Sequence, residues 1–297
     1  MEELMKTAGF DKCETDFFST LYTKLDNQDK ELLDILGEKF TTHDDIETCQ
    51  NTQKELDVLA EKYCIDAKSV YMIFFLSNLD KMKQIYADKN IPGDIFFEML
   101  KDLKYKLDEC KKVYGVYGTN SFYWYYKILK AEIIPLGRFQ YQADKFYGES
   151  YTWGDITVTN EDDVVRIHIP SSGAMTQELR MESYKKAFEY YGKTKGEYLL
   201  ITCVSYLLYE GNREVYPEGS NLLDFMNDFD ITENVEPTEP FSNAWRVFNT
   251  AYTGDISKLP AKTTLQKNYI KYLEQGKSVG TGKGIIIFDG EKIVNKK

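Results

Sequence analysis

Residues 164–175 read VVRIHIPSSGAM, an alternating run that stops at a proline and gives way to small residues. Alternation with period two marks a strand with Val165, Ile167 and Ile169 toward a core and Arg166 and His168 on the opposite, polar face. Pro170 has no N–H to donate and closes the ladder. Ser171, Ser172 and Gly173 then offer small residues whose backbone N–H groups can point at an anion, just ahead of a helix predicted over residues 176–191 whose N-terminal dipole is positive. That helix and its exit carry Arg180, Lys185, Lys186, Lys193 and Lys195, a concentration of cations in an otherwise acidic chain. Strand, small-residue bend and basic helix together read as a seat for a polyphosphate. The alternative is a solvated strand face followed by an ordinary turn.

Outward from this stretch, the same alternation in LGRFQYQ at 136–142 sets Phe139 and Tyr141 against Arg138, Gln140 and Gln142. A shared face of arginine, glutamine and histidine then lines a cleft. ITVTN at 156–160, joined through acidic EDD to VVRIHIP, predicts a hairpin. On the following helix Met181, Tyr184, Phe188 and Tyr191 repeat at helical spacing. EYLLITCVSYLL at 197–208 suits a buried strand, its second half being equally compatible with a helix, and NAWRVFN at 243–249 reads as another strand. Gly219 and Ser220 open a short helix. Thr263 and Gln266 form a capping box, Gly276 stands where a helix ends, and Asp289-Gly290 separates two apolar runs as in a hairpin. Alternating strands and helices with antiparallel hairpins predict a mixed sheet covered by helices.

Residues 1–116 differ, with apolar positions recurring near every 3.6 residues, as at Phe96, Leu100, Leu103 and Leu107 behind Asp94 as a candidate cap. The glycines of VYGVYGTN at 113–120 place the boundary between a helical N-terminal domain, 1–117, and a second domain, 118–297, with Asn120 as the cap of an aromatic run.

Composition narrows the function. Lys and Arg number 37 against 48 Asp and Glu, a net charge of −11, which argues against nucleic acid or an anionic membrane as a partner. The longest apolar run, Val70–Leu76, is far too short to span a bilayer, so the expectation is a protein of the cytoplasm with no membrane insertion. Five scattered cysteines without a CxxC pair indicate neither a disulfide framework nor zinc, and with only His43 and His168 no metal is expected. VGTGKGI at 279–285 fails the Walker pattern, because Lys277 stands where glycine is needed and Gly284 replaces the Ser/Thr; close backbone approach or a bend is its expected role. Glu214, Glu218, Asp224, Asp228, Asp230, Glu233, Glu236 and Glu239 fall in a stretch, Glu214 to Trp245, without one lysine or arginine, and read either as a solvated face or as the border of a site for an amine. Cys203 reads as a buried, inert thiol.

LGRFQYQ, IHIPSSGAM, CVSYLLY, YPEGSNLLDFMNDFDI, AWRVF and LPAKTTLQKNYIKYLEQGKSVGTGKG, in this order, resemble a family of bacterial proteins described as GNAT-like N-acyltransferases, with a helical N-terminal domain and a GNAT-like C-terminal domain. The resemblance implies a mixed sheet that splays to admit the pantetheine of acyl-coenzyme A, with the pyrophosphate at the helix after IHIPSSGAM. Ser171, Ser172, Gly173, Arg180 and Lys185 are the expected cofactor-binding residues. The usual Gly-x-Gly or Gly-x-Ala of that loop is missing, since SSGAMT has one glycine. The implied reaction is transfer of an acyl group from acetyl-CoA or a longer acyl-CoA to a small amine, with His168 as the base and Tyr206, or Tyr209, as the acid. The rival is a non-catalytic module on a degenerate acyltransferase fold that binds a metabolite or protein.

Overall fold

The computed structural model describes residues 1–43, 45–237 and 241–296. Of the acidic stretch, Glu239 lies outside the described residues, as does the terminal Lys297. Two compact units divide the chain, Met1–Pro135 and Leu136–Lys297.

The first unit is helical: α1 (Glu2–Ala8), α2 (Lys12–Lys24), α3 (Asn27–Thr42), α4 (Ile46–Tyr63), α5 (Ala67–Ser77), α6 (Leu79–Asp88), α7 (Gly93–Tyr114) and α8 (Phe122–Leu129). Aspartates start four of these helices. Asp11, Asp26, Asp45 and Asp66 each accept a hydrogen bond from a backbone N–H of the first turn. α5 is buried from Ser69 through Leu76 without a polar face, as a central helix must be. Around it Phe40 meets Phe74, Phe75, Phe122 and Tyr126 with ring centroids 5.1–6.3 Å apart. α7 buries the expected stripe of Phe96, Leu100, Leu103 and Leu107, although Pro92, not Asp94, occupies its cap position. The aromatic run of α8 joins this core, and for that reason the units divide later than the glycines at 115 and 118 suggest. Ser121 rather than Asn120 precedes it; Asn120 donates to the Tyr114 hydroxyl instead.

A six-stranded sheet follows, which lies in the second unit except for the first three residues of β1. Its strands are β1 (Ile133–Leu136), β2 (Phe139–Lys145), β5 (Asp163–His168), β6 (Leu199–Ser205), β7 (Asp230–Val235) and β8 (Thr281–Phe288), in the order β1-β2-β5-β6-β8-β7. A separate hairpin joins β3 (Tyr151–Trp153) to β4 (Ile156–Val158). The helices are α9 (Gln177–Tyr191), α10 (Asn221–Met226), α11 (Ala244–Phe248) and α12 (Thr264–Glu274). The mixed sheet with helices is as expected, with four local differences. β5 pairs antiparallel with β2, not with residues 156–160, which return against β3. LGRF is a turn, with Gly137 at φ 73, rather than the start of one long strand. Residues 244–248 are helical, packed through Ala244 and Phe248. Beyond Asp289-Gly290 the returning chain makes only a single bridge, Phe288 with Ile293.

Strand register settles which side chains share a face. Tyr141 lies beside Ile167, Val165 beside Ile201 and Ile201 beside Ile286, and these lie on one face with Phe139 and Phe288. α9 covers that face, where Tyr184 packs on Phe139 at 5.8 Å and on Phe288 at 6.0 Å. The helix turns in Arg180, Ser183, Tyr184 and Ala187, one residue out of phase with the Met181 stripe expected from hydrophobicity. Ser183 explains the shift: its hydroxyl donates to the Leu136 carbonyl and contacts the Tyr141 hydroxyl, satisfying polar groups at the sheet's end. The glycines before and within β8 permit close approach: a Cβ at Gly282 would stand 2.0 Å from the Leu208 carbonyl oxygen, and one at Gly284 2.8 Å from Phe229.

Candidate active site

Sequence neighbours on β5 and β6 diverge at one point. The two strands run parallel with Val165–Ile167 beside Ile201–Cys203, and pairing then ceases. β6 continues through Val204 and Ser205, paired on its other side with Lys283 and Gly282 of β8. An edge of β6 is therefore open toward β5 at the level of His168.

His168 sits at the end of β5, half-buried, with Nε2 3.1 Å from Gln142 Oε1. A carboxamide oxygen only accepts, so the tautomer with its proton on Nε2 makes this hydrogen bond and leaves Nδ1 as the ring's acceptor. Gln140 faces His168 across the ladder and Gln142 faces Arg166, which assembles the expected polar face. Arg166 spends part of its charge on Asp144 at 2.6 Å.

The bend after Pro170 is held from beneath by its carbonyls. The Arg138 guanidinium lies beneath it and donates from Nη1 to the Pro170 carbonyl at 3.1 Å and to Ser172 Oγ at 3.0 Å, from Nη2 to the Gly173 carbonyl at 2.9 Å, and from Nε to the Ala174 carbonyl at 3.0 Å. The Ser172 N–H is taken by the Pro170 carbonyl. Trans peptide units carry C=O and N–H in opposite directions, so with the carbonyls of Pro170 and Gly173 turned onto Arg138, the amides of Ser171 and Ala174 face outward, on exposed residues. Gly173, at φ 102, takes a conformation suited to glycine. Thr176 caps the helix that follows through the Leu179 N–H.

The cations expected to hold a polyphosphate are mostly committed. Arg180 is buried at 1% exposure and pairs with Asp228 at 2.6 Å, while its Nη1 donates to the Met175 carbonyl. Tyr184 and Lys296 also donate to Asp228. Arg180 is thus a structural strut rather than a free ligand-binding group. Lys186 pairs with Glu182, Lys193 with Glu197 and Lys195 with Asp162. Lys185 is exposed on α9, about 12 Å along the helix from its start.

Tyr206 opens a short 3-10 turn just past β6, half-buried against Phe241 at 5.8 Å. Tyr209 is held otherwise: burial, then its hydrogen bonds to Glu236 at 2.7 and 2.9 Å, push its hydroxyl up to about 12, which makes it a weaker acid. Burial also pushes the Cys203 thiol up to about 12, as befits an inert side chain. Among the described residues no His/Cys/Asp/Glu group suits a metal ion.

Two features escaped the sequence. Alternation sets Arg138 on the polar strand face, whereas Gly137 turns it under the bend. Lys283 sits within the glycine-rich run, and a lysine between two glycines at the head of an apolar strand is its one local signal.

Residues 133–286, just over half of the chain, match the family described as the GNAT-like C-terminal domain. The chain belongs to this family. Residues 1–131 match the N-acyltransferase N-terminal domain. A comparison with curated proteins finds no match. Among solved structures, the fold is similar to that of an acyltransferase in complex with decanoyl-CoA and teicoplanin, at TM-score 0.72 and 16% identity, over 96% of this chain and 87% of that one. A mutant acyltransferase in complex with octanoyl-CoA aligns at TM-score 0.73 and 16% identity over the same shares. An acyltransferase in complex with decanoyl-CoA gives 0.70 and 18%, over 96% and 86%. The GNAT-like domain accordingly contains the splayed strands, the bend and α9, and no described helix of the chain is long and apolar enough to cross a membrane.

Proposed function

We propose that the protein transfers an acyl group from acyl-coenzyme A to an amine acceptor. The observation that carries this reading is the parting of β5 from β6 at His168, with the bend and the N-terminus of α9 directly after it. Pantetheine inserts as a pseudo-strand along the open edge of β6, and the pyrophosphate meets the outward amides of Ser171 and Ala174, whose orientation Arg138 holds. Lys185 serves as a peripheral contact at most, and Arg180 acts only through the fold. The complexes of similar fold with decanoyl-CoA and octanoyl-CoA support an acyl-CoA donor, and the one with teicoplanin allows an acceptor larger than a simple amine.

In the reaction the amine nitrogen attacks the thioester carbonyl carbon while His168 Nδ1 removes its proton. The tetrahedral oxyanion collapses, the C–S bond breaks, and the thiolate takes a proton from the Tyr206 hydroxyl. Calorimetric titration with acetyl- through decanoyl-CoA tests donor binding, and release of free thiol measures turnover. His168→Ala is expected to lower turnover by about 10²- to 10⁴-fold with acyl-CoA affinity unchanged. Saturable binding without turnover in the parent chain would favour the non-catalytic binding module, and absence of binding to every acyl-CoA would overturn both.

A further inference from the structure

A second polar cavity opens on the sheet face opposite α9. It measures about 680 Å³ and is lined by Tyr147, Gly148, Glu149, Asp230, Glu233 and Lys283, among others. Its one cation is Lys283, 7% exposed, whose Nζ has no hydrogen-bond partner. The ammonium lies 5.2 Å from the Phe146 ring centroid and 4.6 Å from that of Tyr147. Rings alone do not satisfy three N–H donors, and a buried ammonium without an acceptor is costly. Burial draws its pKa down, against the opposing pull of Glu233. Gly148, at φ 123, lies against the ammonium: a Cβ there would stand 2.4 Å from Nζ and force one of the two to shift.

We propose that this cavity binds the carboxylate of a zwitterionic organic ligand, with Lys283 Nζ donating to the carboxylate. The rest of the lining selects the ligand's other end. Glu149, Asp230 and Glu233 place carboxylates around the same cavity. They repel a dianion such as phosphate and complement an ammonium group several bonds from the carboxylate. Asp230 also accepts from the Tyr151 hydroxyl at 2.9 Å, which holds one wall in place. Lys283 stands beside Val204, and Val204 continues past the residue that pairs with Ile167, so Lys283 and His168 share a sheet face about 10 Å or more apart. Resting on the acyl-transfer reading, the same ligand is the acceptor, its acidic end held at Lys283 and its amine presented toward His168. The binding site itself does not depend on that reading.

The test is calorimetric titration of the full chain, without acyl-CoA, with 6-aminohexanoate and with 6-aminohexanamide as its uncharged-end control. The acid is expected to bind about tenfold or more tightly than the amide, and Lys283→Met to abolish that preference while the protein stays folded by circular dichroism. Lys283→Arg, which keeps the charge, is expected to retain part of it. Equal binding of acid and amide, tighter binding of inorganic phosphate, or an undiminished preference in Lys283→Met would overturn the site. Because no acyl-CoA is present, failure of acyl transfer leaves this result unaffected. With acyl-CoA added, acylation of the acid in preference to the amide supports the acceptor role, and binding without acylation removes that role alone.

Discussion

Lys62 of the helical unit and Lys283 of the GNAT-like domain show how differently the two regions handle charge. Lys62 is half exposed and donates to Asp29 at 2.7 Å and Asp26 at 3.0 Å; these hydrogen bonds raise its pKa. Lys283 is enclosed without an acceptor, and burial lowers its pKa. The helical unit also buries charge but gives it partners around its apolar, aromatic core: Lys106, 6% exposed, pairs with Glu109, and buried Glu14 pairs with Lys104. The GNAT-like domain buries Arg138, Arg180, Asp228 and Lys283. Structural charges in it are paired, and the charge left unpaired lines a cavity. Burying charge without a partner is expensive, so the unpartnered Lys283 points to where a ligand is handled.

The largest expected effect is at the buried pair. Arg180→Met leaves Asp228 with only Tyr184 and the half-exposed Lys296, and should destabilise the GNAT-like domain by about 3–5 kcal/mol in urea unfolding. Arg180→Met with Asp228→Leu should recover most of that loss; a double variant as unstable as the single would show that the polar network cannot be exchanged for apolar packing. In the helical unit, Phe40→Leu should cost only about 1 kcal/mol, because the aromatic cluster around it can readjust to an apolar side chain. A cost approaching that of Arg180→Met would break the contrast between the units.

The smallest effect carries a pH signature. A lysine whose pKa is lowered on folding has lost protons relative to the unfolded chain, so its penalty applies at pH below its folded value and fades as pH rises through it toward 10.5. Lys283→Met should therefore raise the thermal midpoint at pH 7, by no more than about 4 °C, and the gain should shrink at alkaline pH. A midpoint unchanged or lowered at pH 7 would mean that the ammonium is already stabilised where it lies.

Much of the fold was legible in the chain because its signals are local. The helical stripe at Phe96, Leu100, Leu103 and Leu107, the capping box at Thr263 and Gln266, and the strand ending at Pro170 each depend on residues close in sequence. The difficulties arose where distant partners decide the outcome. Met181 is a better apolar residue than Arg180, yet Asp228 draws Arg180 inward and sets the phase of α9. NAWRVFN has strand-like residues but becomes a short helix that packs through Ala244 and Phe248. The acidic stretch reads as one patch, yet Asp228 is buried in an ion pair, Glu236 holds Tyr209, and Asp230 and Glu233 border the cavity.

By itself, then, the sequence determined the helical and mixed α/β regions, the strand, bend and helix around His168, and the polar face that alternation imposes. Periodicity and capping are encoded within a few residues of backbone. Only the tertiary structure decided that Arg138 turns the carbonyls of the bend inward, that Arg180 is a strut, that the ladder opens past Ile167, and that Lys283 is enclosed without a partner. Those outcomes depend on which side chains from distant parts of the chain compete for the same buried volume and the same hydrogen bonds, and no local pattern records that competition.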